Sequence, residues 1–123
     1  MDIEALTQRA MEIRARFGAF ETAQCGRPWT REEIMQGFVV DVGDLTKLVM
    51  AKSGIRHVDE VDRKLAHELA DCLWCVLVLA RMYHVDLQQE FMATMDGLDA
   101  WISERLKEPD QPPLSPRTDG SRD

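Results

Sequence analysis

Nine consecutive residues, Cys72 to Ala80 (CLWCVLVLA), are apolar. A run of that length is far short of the roughly 20 residues that cross a bilayer, so it has to be buried in protein. The pattern around it, from Asp59 to about Tyr83, is helical, and a helix apolar on every side needs cover on every side. Three other helices of a chain this small leave part of it bare. The run therefore predicts a homo-oligomer, dimer or tetramer, in which another copy of the chain supplies the missing cover.

The rest of the chain repeats apolar residues at steps of three and four. Ile3, Leu6, Ala10, Ile13, Phe17 and Phe20 paint one face of a first helix, and Gly18 and then Cys25-Gly26-Arg27-Pro28 interrupt it. Thr30 and Glu33 form a T-x-x-E capping box for a second helix. Its stripe is Ile34, Phe38, Val42, Leu45 and Val49, and Gly54 ends it. Asp59 is placed to cap the third helix and Asp86 the fourth. Leu87, Phe91, Met95, Leu98, Ile102 and Leu106 mark the fourth helix's buried stripe. No segment alternates with period two for long enough to form a strand. The expected fold is all-α, an antiparallel four-helix bundle completed by homo-oligomerisation. Residues 1–108 form the helical domain. Residues 109–123 hold four of the five prolines and read as a flexible, polar tail.

Composition narrows the function. The 123 residues are 45% hydrophobic, enough for one domain with a real core. The net charge of −7 argues against binding polymeric nucleic acid, whose phosphates attract Lys/Arg surfaces. Charged and apolar residues mix at the N-terminus, unlike a signal peptide, and no segment suits a membrane. Three cysteines, an odd number, fit a reducing cytoplasm better than a disulfide framework.

Some of the acidic residues stand where a soluble bundle gains nothing from charge. Asp41 and Asp44 interrupt the apolar stretch FVVDVGDLTKLV, and Glu68 and Asp71 precede the apolar run in HELADCLW. Spacing i, i+3 puts both members of a pair on one helix face. The short Gly54–Val58 connection makes helices two and three antiparallel neighbours, so the pairs can face each other. Four converging carboxylates repel and are costly to desolvate, so either their pKa values rise or a cation compensates. A set of carboxylates without His or Cys selects a hard ion, Mg²⁺ or Mn²⁺. An acidic i, i+3 pair is ordinarily a solvated helix face; two pairs inside apolar stripes on neighbouring helices leave a solvated face and a functional site equally open. Gly37 and Gly43 lie inside helix two at a cost of roughly 1 kcal/mol each relative to Ala, which points to close packing or to room for a ligand. Cys72 and Cys75 match C-x-x-C but sit mid-helix among apolar residues, where core packing is the simpler role. HELAD lacks the second His of a zinc H-E-x-x-H motif.

D-V-G-D-L at 41–45 followed by E-L-A-D at 68–71 resembles the E-x-x-E … E-x-x-D signature of the MazG-like all-α nucleoside triphosphate pyrophosphohydrolases. Trp29 ahead of helix two, the L-W and V-L-V-L-A after Asp71, and Val85-Asp86-Leu87 before helix four are similar too. The resemblance spans about residues 29 to 102. It implies that Asp41, Asp44, Glu68 and Asp71 hold Mg²⁺ (or Mn²⁺) and act in catalysis. The substrate would be a nucleoside triphosphate, cut by water at the α–β linkage to a monophosphate and pyrophosphate. Trp29 is the candidate to stack on the base, and Lys47 and Lys64 are candidates to reach the phosphates. For Lys64 the competing role is a surface salt bridge to Glu68.

Two departures from the family pattern are evident. Both residues of the first pair are aspartates where the family has glutamates. Residues 90–104 contain no Lys or Arg, although the family often places phosphate-binding residues in or after the last helix. They favour an alternative from a different class: a non-catalytic homologue acting as an oligomeric nucleotide-binding or protein-interaction module.

Overall fold

The computed structural model describes residues 2–107, and the proline-rich segment 109–123 lies outside them. The described residues form four α-helices and no strand: α1 (Ile3–Cys25), α2 (Arg31–Lys52), α3 (Val61–Met82) and α4 (Leu87–Leu106). They fall into two compact units that divide after Gln88, so most of α4 belongs to the second. None of these helices is long and apolar enough to cross a membrane.

Local sequence signals account for most helix ends. Asp2 caps α1 by accepting from the Ala5 N–H at 2.9 Å. Gly26 ends it in the left-handed region (φ 85°), which costs glycine nothing. Thr30 and Glu33 make the reciprocal capping box of α2 at 3.2 and 3.0 Å. Arg27 reinforces it, donating to Glu33 at 2.6 Å. That arginine and the Thr30 N–H hold the Glu33 carboxyl at about 2.

Two ends differ from expectation. Gly18 does not interrupt α1. A side chain there would meet Arg14 and Pro28 at 3.5 Å, an ordinary contact distance, and the helix runs through it without a break. Asp59 does not cap α3, because its carboxylate is taken by His57 at 2.8 Å. Glu60 stands at the cap position instead, in a left-handed conformation and with no side-chain cap bond.

In the first unit, α3 is the shared partner of α1 and α2. Arg31 stacks over the Tyr83 ring, Cys75 meets Asp41 and Lys52 meets Asp62, so α2 and α3 run side by side in opposite directions. Arg81 meets Glu4, and the Trp74 indole donates to the Ala10 carbonyl at 3.2 Å, so α1 also opposes α3. The core is Ala10, Ile34, Leu77 and Val78, with Trp74, Met11 and Met82 packed against it.

The apolar stripes are only partly buried. On α2 the inward positions are Ile34 and Leu48, whereas Val42 and Val49 are exposed with Met35 and Val39. The helix thus carries two apolar stripes, and the chain covers one. On α3, Cys75, Leu77 and Val78 are buried, but Leu69 and Leu73 are exposed. No residue of α4 is buried, and of its expected core stripe Phe91, Met95, Ile102 and Leu106 lie exposed.

The capping box gives a direct check of this account. Thr30→Ala is expected to lower unfolding free energy by about 1 kcal/mol in urea denaturation, the usual worth of an N-cap.

Candidate metal centre

Helix periodicity puts Asp41 on the inward face of α2, one turn before Leu45 and two before Leu48. Asp44 lies on the rim, exposed, and Glu68 comes from the facing side of α3. The carboxylate oxygens of Asp41, Asp44 and Glu68 lie within 4.8 Å of one another. Residues 24 or more positions apart in sequence thus converge through α2–α3 packing alone.

Electrostatics at this point are unfavourable for bare charge. The Glu68 carboxyl is raised above its ordinary pKa, first by burial and then by the negative charges of Asp71, Asp41 and Asp44. Beneath the trio sits the Cys75 thiol, 3% exposed, donating to Asp41 Oδ2 at 3.6 Å. Burial and the neighbouring Asp41 push that thiol up to about 12, so it stays a neutral donor. The same causes raise Cys72. Neither cysteine is a thiolate here, which agrees with packing rather than redox chemistry. The donor set left for an ion is all carboxylate oxygen, the chemistry that suits Mg²⁺ or Mn²⁺.

Asp71 is the member of the sequence-predicted four that does not join the trio. It stays close enough to act on Glu68, but its Oδ2 pairs with His67 Nε2 at 3.1 Å.

The two lysines singled out in the sequence meet. Lys47 and Lys64 line one hollow of about 250 Å³ together with Asp44 and Glu68. Lys64 makes no ion pair with Glu68 among the described residues, so the salt-bridge role does not hold for it. Arg63 and His67 line the same hollow. Sequence spacing did not single them out, although Arg63, His67 and Asp71 follow each other at steps of four along one ridge of α3.

Trp29 is clamped by its backbone. Glu21 Oε1 accepts from its N–H at 2.8 Å, and Arg14 Nη2 donates to its carbonyl at 2.5 Å. Arg14 and Glu21 are themselves an ion pair at 3.2 Å with side chains 11% exposed. The indole lies over Gly37, 3.5 Å from where a side chain would start. That is an ordinary contact distance, so a side chain would fit at Gly37, and one at Gly43 would meet nothing within 4 Å. With Phe17, Phe20 and Trp74, Trp29 borders a cavity of about 330 Å³. It is a different cavity from the hollow beside the carboxylates.

The raised Glu68 has a signed consequence. The folded chain holds that proton more tightly than the unfolded chain, so this group's contribution to stability is full below the ordinary Glu range. It is lost as pH rises through the raised value. Without divalent metal, Glu68→Gln is therefore expected to be more stable than the unaltered protein at neutral pH. The gain should shrink as pH falls toward the ordinary Glu range, read by thermal unfolding across pH. No family model matches the chain, and no curated protein or solved structure is found to be similar, so the functional reading stands on these side chains.

Proposed function

We propose that the protein is a Mg²⁺-dependent nucleoside triphosphate pyrophosphohydrolase, with Mn²⁺ able to replace Mg²⁺. The observation that carries this reading is the convergence of Asp41 and Asp44 from α2 with Glu68 from α3, at the mouth of a hollow bearing Lys47 and Lys64. Its all-carboxylate donors fit a hard cation, and its cations fit phosphate. The resemblance of D-V-G-D-L and E-L-A-D to the MazG-like signature points the same way.

In this reading Asp41, Asp44 and Glu68 would hold the ion, and Asp71, paired with His67, acts on the set through its charge. The bound ion supplies positive charge to the phosphate oxygens and polarises water. A carboxylate of the set orients the water and takes one of its protons. The water oxygen bonds to the α-phosphorus, the α–β bridging bond breaks, and pyrophosphate leaves with the bond's electron pair. Lys47 and Lys64 offset the charge gathering on the phosphates. The aspartates of the first pair are one methylene shorter than glutamates, and the Cys75 thiol under Asp41 shows how closely α2 and α3 approach there.

An oligomer, dimer or tetramer, belongs to this proposal. A four-helix bundle completed by a second copy would cover Val39 and Val42 on α2, Leu69 and Leu73 on α3, and the α4 stripe, all of which one chain leaves exposed. Three free cysteines fit a cytoplasmic protein.

A panel of ribo- and deoxynucleoside triphosphates with Mg²⁺ or Mn²⁺, assayed for pyrophosphate release, tests the proposal. Turnover of at least one is expected. Asp44→Asn and Glu68→Gln should each reduce it by about 100-fold or more, and Asp71→Asn by about 10- to 100-fold. Nucleotide binding without any turnover would instead make the protein a non-catalytic nucleotide-binding module.

A further inference from the structure

The hollow beside the carboxylates joins two opposite charges. Asp44 and Glu68 belong both to the trio and to the hollow's wall, so the hollow adjoins the place where the cation would be held. The wall's cations are Lys47 from α2 and Arg63 and Lys64 from the first turn of α3, with the His67 imidazole beside them. Lys47 and Lys64 take part in none of the ion pairs among the described residues. Arg63 pairs only with Glu60, at 3.0 Å and with both side chains about two-thirds exposed, a contact worth little in water. His67 is held at one nitrogen by Asp71, which fixes its ring beside Glu68. Cations gathered in one concave wall repel each other and suit a multiply charged anion, with Arg63 offering a planar fork of donors.

We propose that this hollow receives the β- and γ-phosphates of the substrate, with Arg63 joining Lys47 and Lys64 as a phosphate ligand. The inference rests on the pyrophosphohydrolase reading and adds to it the side chains that receive the leaving pyrophosphate. A phosphate ester with one phosphate engages the carboxylate end and leaves the basic wall unused. An ester carrying two further phosphates fills both. The site therefore selects triphosphates over monophosphates through contacts to the leaving pyrophosphate, whatever the base. It also accounts for residues 90–104 lacking Lys and Arg: the basic residues stand at the start of α3 instead.

The test uses the full chain and two probes, inorganic pyrophosphate with Mg²⁺ by titration calorimetry and Mn²⁺ alone by electron paramagnetic resonance. Pyrophosphate is expected to bind at least about tenfold more tightly than inorganic phosphate. Arg63→Ala and Lys64→Ala should each weaken pyrophosphate about tenfold, the usual worth of one charge-assisted contact, and leave Mn²⁺ affinity unchanged. Arg63→Lys should recover part of the loss, and Arg9→Ala, on the exposed surface of α1, should change nothing. Helical content by circular dichroism confirms that each variant is folded, and alanine at these helix positions favours folding. Equal binding of phosphate and pyrophosphate, or pyrophosphate binding indifferent to Arg63→Ala and Lys64→Ala, overturns the inference while Mn²⁺ binding leaves the metal centre standing. Joint loss of Mn²⁺ and pyrophosphate in those variants also overturns it, by making the residues supports of the carboxylates. Failure of the unaltered protein to bind Mn²⁺ sinks the metal centre itself.

Discussion

Three carboxylates from two helices share a space less than 5 Å across, over a buried thiol. Like charges that close are costly in a partly desolvated place, and the raised Glu68 is the sign of that cost. A fold keeps such a cluster only if the surrounding packing is strong enough to hold it, and the arrangement gains most when a cation neutralises it. The account of this protein follows from that conflict between packing and charge.

The packing that holds it is the α2–α3 pair. The Lys52–Asp62 ion pair near the connection and the Arg31–Tyr83 contact at the far end mark the register of the two helices. Within that register Asp41 can only face Cys75, and Glu68 can only come up beside Asp44. Behind α3, Ala10 and Trp74 tie on α1, and the buried Val78 fills the space between the helices. The Arg14–Glu21 pair gives up two charges to the interior and in return grips the backbone of Trp29 on both sides. A buried ion pair adds little net stability. Its consequence here is positional, because it sets where the loop delivers Trp29 to the start of α2.

Much of this was legible in the sequence because it depends on spacing within one helix. The i, i+3 pairs, the capping box at Thr30 and Glu33, and the shared edge of Glu68, Asp71 and Cys75 follow from 100° per residue. What was not legible depends on neighbours. Helix α2 carries two apolar stripes, and only the packing of α3 shows that Leu48 turns inward while Val42 and Val49 do not. Asp59 was a good cap by type, but His57 two residues earlier competes for its carboxylate. Gly18 looked like a helix stop, yet α1 runs through it to Cys25. Asp71 shares a face with Glu68, but His67 one turn before it draws its carboxylate away from the trio. The α4 stripe is apolar with helical period, and periodicity alone does not say what covers it.

The central claim is that Asp41, Asp44 and Glu68 form one cation site. Its most direct test is a crystal structure of the full chain soaked in Mn²⁺, with the ion located by its anomalous scattering. The account predicts a single strong peak, or a close pair, ligated by carboxylate oxygens of these three residues. A protein saturated with Mn²⁺ that shows no peak there, or shows its ions only at other acidic side chains, would contradict it.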